Sequence, residues 1–191
     1  MSTEDWRPRT GDRDFEPLGG ETAFAGSFVT LRVERFRYPD GEEVKREIVR
    51  HPGAVGMVCH DDTHLWLVRQ PRETIGDPDC LEIPAGKLDP GEEPLATGKR
   101  ELAEEIGKAA RDWELLTAFH TSVGVMDEKV WVYLATGLSD EHAEVEENER
   151  IEIVRWPLDD LDGALAATTD SKTIIGLLLL RERRRAAAER A

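Results

Sequence analysis

The sequence predicts mixed α and β structure, either α+β or an α/β sandwich, with a small antiparallel sheet ahead of the main domain. Short runs of period-two alternation recur along the chain, as in Val29, Leu31 and Val33 against Thr30 and Arg32. One long stretch, Leu95 through Ile106, follows a helical period instead. The chain closes on a second helix-like run, Ile174 to Leu180, behind a capping Asp170 or Ser171. Periodicity leaves the order of the strands open.

Residues 1–20 are polar and hold Pro and Gly, which predicts an arm that is loose or draped over another surface, with Trp6 as its anchor. The alternating run after Phe28 and a returning run, Glu43 to Arg50, flank the turn signal Tyr38-Pro39-Asp40-Gly41. Together they predict a small antiparallel sheet whose use is a decoration, a lid or a dimerisation element. His51-Pro52-Gly53 breaks the run, so we divide the chain into 1–50 and 51–191. Ala54–Cys59 and Leu65–Arg69 read as a hairpin over a turn containing His60 and His64, which are exposed turn residues and not ligands. Residues 70–80 read as a polar loop containing Arg72, and Cys80–Pro84 as a short strand leading to Gly86. Beyond the first helix, strands are expected at Trp113–Leu116, Val130–Ala135 and Ile151–Trp156, with a solvated charged loop at 139–150. Pro157 is expected to open a short helix, and the basic, alanine-rich end of the last helix to project.

The chain has 191 residues, enough for one domain with appendages, and a net charge of −15. That acidity disfavours a nucleic-acid backbone or an anionic membrane as partner, yet permits a small phosphorylated substrate neutralised locally. Two cysteines, Cys59 and Cys80, suggest neither a disulfide framework nor a metal site, and the N-terminal residues lack an apolar export core. A cytoplasmic location is the expectation.

The most informative stretch is GKLDPGEEPLATGKRELAEEIG, Gly86 to Gly107. A turn at Asp89-Pro90-Gly91 gives way to a helix with Pro94 in its first turn. With Glu101 at zero and about 100° per residue, Leu95, Leu102 and Ile106 cluster near 100–140°, Glu105 near 40° and Glu104 near 300°. An apolar face is therefore separate from a carboxylate face. Like charges three and four apart destabilise a helix slightly, but such a set suits a hard divalent cation. Arg100 stands four residues before Glu104 and can hold it.

The spacing of Gly86, Glu92, Arg100-Glu101-Leu102, Glu104-Glu105 and Gly107 resembles the Nudix hydrolase box, with Lys108 where an aliphatic residue is usual. The wider pattern, REIVRHPGAVG, LVRQPRE, LEIPAG, ENERIEIVRWPLDD and DSKTIIGLLLL, resembles the ADP-ribose pyrophosphatase branch. The resemblance implies an α/β/α sandwich with a mixed sheet, and a homodimer in which residues 28–50 cross to the partner. It implies hydrolysis of a nucleoside diphosphate sugar, ADP-ribose first, to AMP and ribose 5-phosphate with Mg²⁺, or Mn²⁺ in its place. It makes Glu101 and Glu105 the principal metal ligands, with the backbone carbonyl of Ala85 and a direct or water-mediated Glu104. Arg100 would orient a carboxylate and Glu92 support the loop. Glu149, ahead of Glu147, is the implied water-activating base. Arg46 and Arg72 match substrate-contacting arginines, Glu82 would hold the metal loop or a ligand, and Phe36 or Tyr38 would stack on adenine. Val123 stands where the branch often has proline, and Met126 where small polar residues are common. The alternatives are another nucleoside diphosphate sugar as substrate, or a nucleotide-sugar sensor without turnover.

Overall fold

The chain divides into two units in the computed structural model, which describes residues 14–141 and 150–190. Trp6 lies outside the described residues. The first unit takes the chain through His51 together with Ser122–Asp127. Its strands β1 (Glu16–Ala25), β2 (Thr30–Arg37) and β3 (Glu43–Arg50) form an antiparallel meander with β2 in the middle. β2 and β3 stand where the alternation puts them, joined by a turn in which the Gly41 N–H donates to the Tyr38 carbonyl at 2.9 Å. β1 overturns the expectation of a loose arm up to residue 20. Its sequence, EPLGGETAFA, is exposed almost throughout, so no inside–outside alternation marks it, and backbone pairing with β2 holds it. The segment Ser122–Asp127 joins this unit through Val49, whose N–H donates to Val125 at 2.8 Å and whose carbonyl accepts from Asp127 at 3.1 Å.

The second unit takes the remaining chain. It holds β4 (Ala54–His60), β5 (His64–Arg72), β6 (Asp77–Glu82), β7 (Ala85–Lys87), α1 (Pro94–Ile106), β8 (Lys108–His120), β9 (Lys129–Asp140), β10 (Glu152–Pro157), α2 (Leu161–Ala166) and α3 (Ser171–Ala188). The sheet runs β10-β5-β4-β9-β8, with β6 beside β5 and β7 beside β4. β4 and β9 are parallel and their neighbours antiparallel, so the sheet is mixed.

Alternation along β4 decides how the helices pack. Val55, Met57 and Cys59 share one apolar cluster with Leu102 and Ile106 of α1. Val58 shares the opposite cluster with Leu161 of α2 and Leu177 and Leu180 of α3. Both faces of the sheet are thus covered, and the architecture is an α/β/α sandwich. Two local expectations change. The polar loop at 70–80 shrinks, because β5 continues to Arg72 and β6 begins at Asp77 after a 3-10 turn at Glu73–Ile75. Pro157 ends β10 instead of opening a helix, and α2 starts at Leu161, where Asp160 accepts from the Gly163 N–H. The basic end of α3 is largely exposed, and two of its arginines are paired, Arg181 with Asp162 at 2.7 Å and Arg183 with Glu114 at 2.6 Å. Among the described residues no helix is long and apolar enough to cross a membrane.

Candidate active site

β6 ends in Glu82, and Ile83-Pro84 lead into β7, which sets Gly86 opposite Val55 on the buried central strand β4. The chain turns where the Glu92 N–H donates to the Asp89 carbonyl at 3.0 Å, and α1 begins on Pro94. It ends on Gly107, whose φ of 64° is left-handed and whose N–H returns to Ala103. Leu102 and Ile106 anchor the apolar face in the core, which fixes the rotation of the carboxylate face.

Two consecutive residues of β7 meet two carboxylates one helical turn apart. The space a Cβ on Gly86 would need is taken by Glu101: such a carbon would lie 1.8 Å from the Glu101 Cδ. Glu105, 8% exposed, accepts the Ala85 N–H at 2.8 Å. Arg100 gathers the other acids. Its Nη1 donates to Glu101 Oε1 and Glu104 Oε2, both at 2.8 Å. Its Nε and Nη2 reach Glu92 at 3.2 and 3.0 Å, and Nη2 also reaches the Lys87 carbonyl at 3.3 Å. The Arg100 hydrogen bonds hold Glu92 down at about 2, and Glu92 in turn raises Arg100 above its ordinary value. The helix period anticipated the pair with Glu104. It did not anticipate the forked hold on Glu92, which comes from the turn.

The donor chemistry fits a hard divalent ion, since carboxylate and carbonyl oxygens are what Mg²⁺ and Mn²⁺ prefer. Glu101, Glu104, Glu105 and the Ala85 carbonyl are the groups able to hold one. Among the described residues no three His, Cys, Asp or Glu side chains are already gathered around a common point, and the cation shared by Glu101 and Glu104 is Arg100.

A second charged group sits upstream of the same loop. Glu82 is 1% exposed and accepts a fork from Arg72, at 2.5 Å to Nε and 2.8 Å to Nη2. Lys172 Nζ donates to the same Oε2 and lies 3.0 Å from Asp170 Oδ1. Asp170 caps α3 as expected, accepting the Thr173 N–H at 2.9 Å. Burial alone would raise the Glu82 carboxyl, but the Arg72 hydrogen bonds and the Lys172 charge outweigh it and hold Glu82 at about 2. Lys172 is the residue sequence reasoning missed. Its signal was the stretch DSKT, quoted for its resemblance and assigned no role beyond the cap.

Arg46 stands in the first unit, on β3, where its Nη1 donates to the Lys45 carbonyl at 2.9 Å. It lines a cavity of about 380 Å³ with Phe36, Tyr38, Val123 and Met126. Phe15 packs edge-on to Phe36 with ring centres 5.3 Å apart. Glu147 and Glu149 lie outside the described residues. His60 ends β4 and His64 begins β5, both half-buried, so neither is the exposed turn residue expected; their Nδ1 atoms lie 2.8 Å from the Asp61 carbonyl and the Thr63 hydroxyl.

The NUDIX domain model matches residues 49–178. An ADP-ribose pyrophosphatase of Bacillus subtilis (strain 168) is 42% identical over 146 residues, 75% of this chain and 78% of that protein. An ADP-ribose pyrophosphatase of Mycobacterium tuberculosis (strain ATCC 25618 / H37Rv) is 44% identical over 131 residues, 68% of this chain and 63% of that protein. Among solved structures, an ADP compounds hydrolase superposes with a TM-score of 0.81 at 25% identity, covering 94% of this chain and 98% of its own.

Proposed function

We propose, from the premise that this chain belongs to the NUDIX domain family, that it is a hydrolase cleaving the pyrophosphate of ADP-ribose to AMP and ribose 5-phosphate with Mg²⁺, or with Mn²⁺ in its place. The observation that carries this reading is the fit of Glu101 into the space left by Gly86, next to Glu105 on the Ala85 N–H. It gives two carboxylates fixed positions on one loop. A divalent ion bound there would neutralise phosphate oxygens and lower the pKa of a water.

In this reading Glu101 and Glu105, with the Ala85 carbonyl and Glu104, are the ion's ligands. Arg100 keeps Glu101, Glu104 and Glu92 from splaying apart. Arg72 contacts the substrate diphosphate and Glu82 orients it. Arg46, with Phe36 or Tyr38, serves the nucleoside end. Glu149, or Glu147, is the base. Residues 1–50 act as the dimerisation element and 51–191 as the hydrolase domain, in a homodimer. A cytoplasmic location belongs to the same proposal, supported by two buried free cysteines.

Assays with Mg²⁺ on ADP-ribose, GDP-mannose, UDP-glucose, NADH and a nucleoside triphosphate test the reading. ADP-ribose should give AMP at the highest kcat/KM. Efficient turnover of another member with none of ADP-ribose would reject the substrate and keep the hydrolase; saturable binding with no cleavage of any would favour a sensor. A second reading, another ADP-linked compound as substrate, is favoured by Val123 beside the cavity and by the name of the superposed hydrolase.

A further inference from the structure

We infer that Lys172 is a positioning residue for substrate binding: by sharing the charge of Glu82, it leaves Arg72 cationic toward a phosphate. This rests on the reading of Arg72 as a diphosphate contact.

Both oxygens of Glu82 are engaged by the Arg72 fork. A matched guanidinium–carboxylate pair is internally neutral, and a neutral pair is a poor receptor for an anion. Lys172 changes that balance. Its Nζ bonds Glu82 Oε2, the oxygen that Arg72 Nη2 also uses, so two cations share one carboxylate. Asp170 completes the network: its Oδ2 accepts the Thr173 N–H at 2.9 Å and the Thr173 hydroxyl at 2.6 Å, and its Oδ1 lies 3.0 Å from Lys172 Nζ. The two cations thus balance the two acids, whereas without Lys172 Arg72 alone would face both carboxylates and the group would repel a phosphate. Among the described residues Arg72 Nη1 makes no hydrogen bond, so one edge of the fork stays available.

The location suits this use. The Lys172 side chain is only 13% exposed, and its Cδ lies 3.7 Å from where a Cβ on Gly56 would stand. Gly56 pairs with Ala85, the first residue of the loop that meets Glu105. Lys172 therefore spans from the start of α3 to the strand pair that sets the candidate metal loop. A lysine with a purely structural role would tie α3 to β6 and affect melting alone. A lysine acting through Arg72 affects affinity, and only while Arg72 is present.

A double-mutant cycle separates these roles. Lys172→Gln, Lys172→Arg, Arg72→Ala and Lys172→Gln/Arg72→Ala are compared with the wild type for KM and kcat on ADP-ribose with Mg²⁺. Equilibrium binding of ADP-ribose in EDTA and melting temperature are read alongside. The expected result is a KM raised about tenfold by Lys172→Gln with kcat nearly kept, near-normal KM for Lys172→Arg, and no added effect of Lys172→Gln once Arg72 is alanine. Additive effects, or a normal KM for Lys172→Gln beside a raised one for Arg72→Ala, would overturn the inference and leave the reading of Arg72 standing. A normal KM for Arg72→Ala would overturn both. Absence of both turnover and binding in the wild type would overturn the substrate and this inference with it. Lys172→Met replaces Lys172→Gln if the latter does not fold. If neither folds while Lys172→Arg binds normally, the role is structural and the inference fails.

Discussion

A single missing carbon organises the candidate site. Gly86 has no Cβ, and the Glu101 carboxylate occupies the space where one would be. Alanine at this position must displace the carboxylate or the loop, and a misplacement near 1 Å can cost about a hundredfold in rate. Gly86→Ala is therefore expected to lose roughly a hundredfold in kcat while the far-ultraviolet dichroism stays that of the wild type; near-normal turnover would mean that Glu101 is not held there during reaction. Glu105 permits a cleaner separation of fold from chemistry. Its carboxylate accepts the Ala85 N–H at 2.8 Å, and a glutamine oxygen can accept the same bond. Glu105→Gln removes charge while keeping that contact. Melting within a few degrees of wild type is expected, with turnover down by about two orders of magnitude or more. Full activity in this variant would remove Glu105 from the ligand set.

At the scale of elements, two ion networks flank one short strand: Arg100 with its acids beyond β7, and Glu82 with Arg72 and Lys172 before it. The carboxyl groups of Glu82 and Glu92 are both held at about 2, well below their ordinary 4.5. The sign of the linkage follows. A depressed carboxyl binds fewer protons folded than unfolded, so its contribution is complete above about pH 4.5 and disappears as pH falls through about 2. For Glu82, which is 1% exposed, that contribution is at most about 3 kcal/mol. Glu82→Gln should lower stability at pH 7, because it leaves Arg72 and Lys172 side by side without their shared carboxylate. It should also flatten, though not abolish, the acid decline between pH 4.5 and 2, since Glu92 still titrates in that window. Urea unfolding at pH 7, 4 and 3 measures both effects. An unchanged acid slope would mean that the Glu82 network also persists in the unfolded chain.

Across the whole molecule, what the sequence discloses depends on whether a contact is local. Glu101, Glu104 and Arg100 lie within four residues of one another on α1, so the helical period was enough to gather them. Glu82 and Lys172 are 90 residues apart and meet only because the sheet folds β6 against the start of α3, a relation that no local period encodes. β4 and β9 could be read as strands from their apolar residues, but their parallel pairing is a property of topology. β1 was missed for the opposite reason: a strand exposed along nearly its whole length has no buried face to alternate with. That same exposure motivates the last prediction. Phe24 on β1 is 61% exposed, and a three-stranded sheet so open is marginal unless an apolar face is covered. A second copy is the occupant proposed above, so light scattering should give twice the 21.5 kDa chain mass at micromolar concentration. Phe24→Ser should weaken that association about tenfold or more, as loss of a buried aromatic at an interface does. A single-chain mass for the wild type would remove the dimer; an equally tight Phe24→Ser dimer would move the interface away from β1.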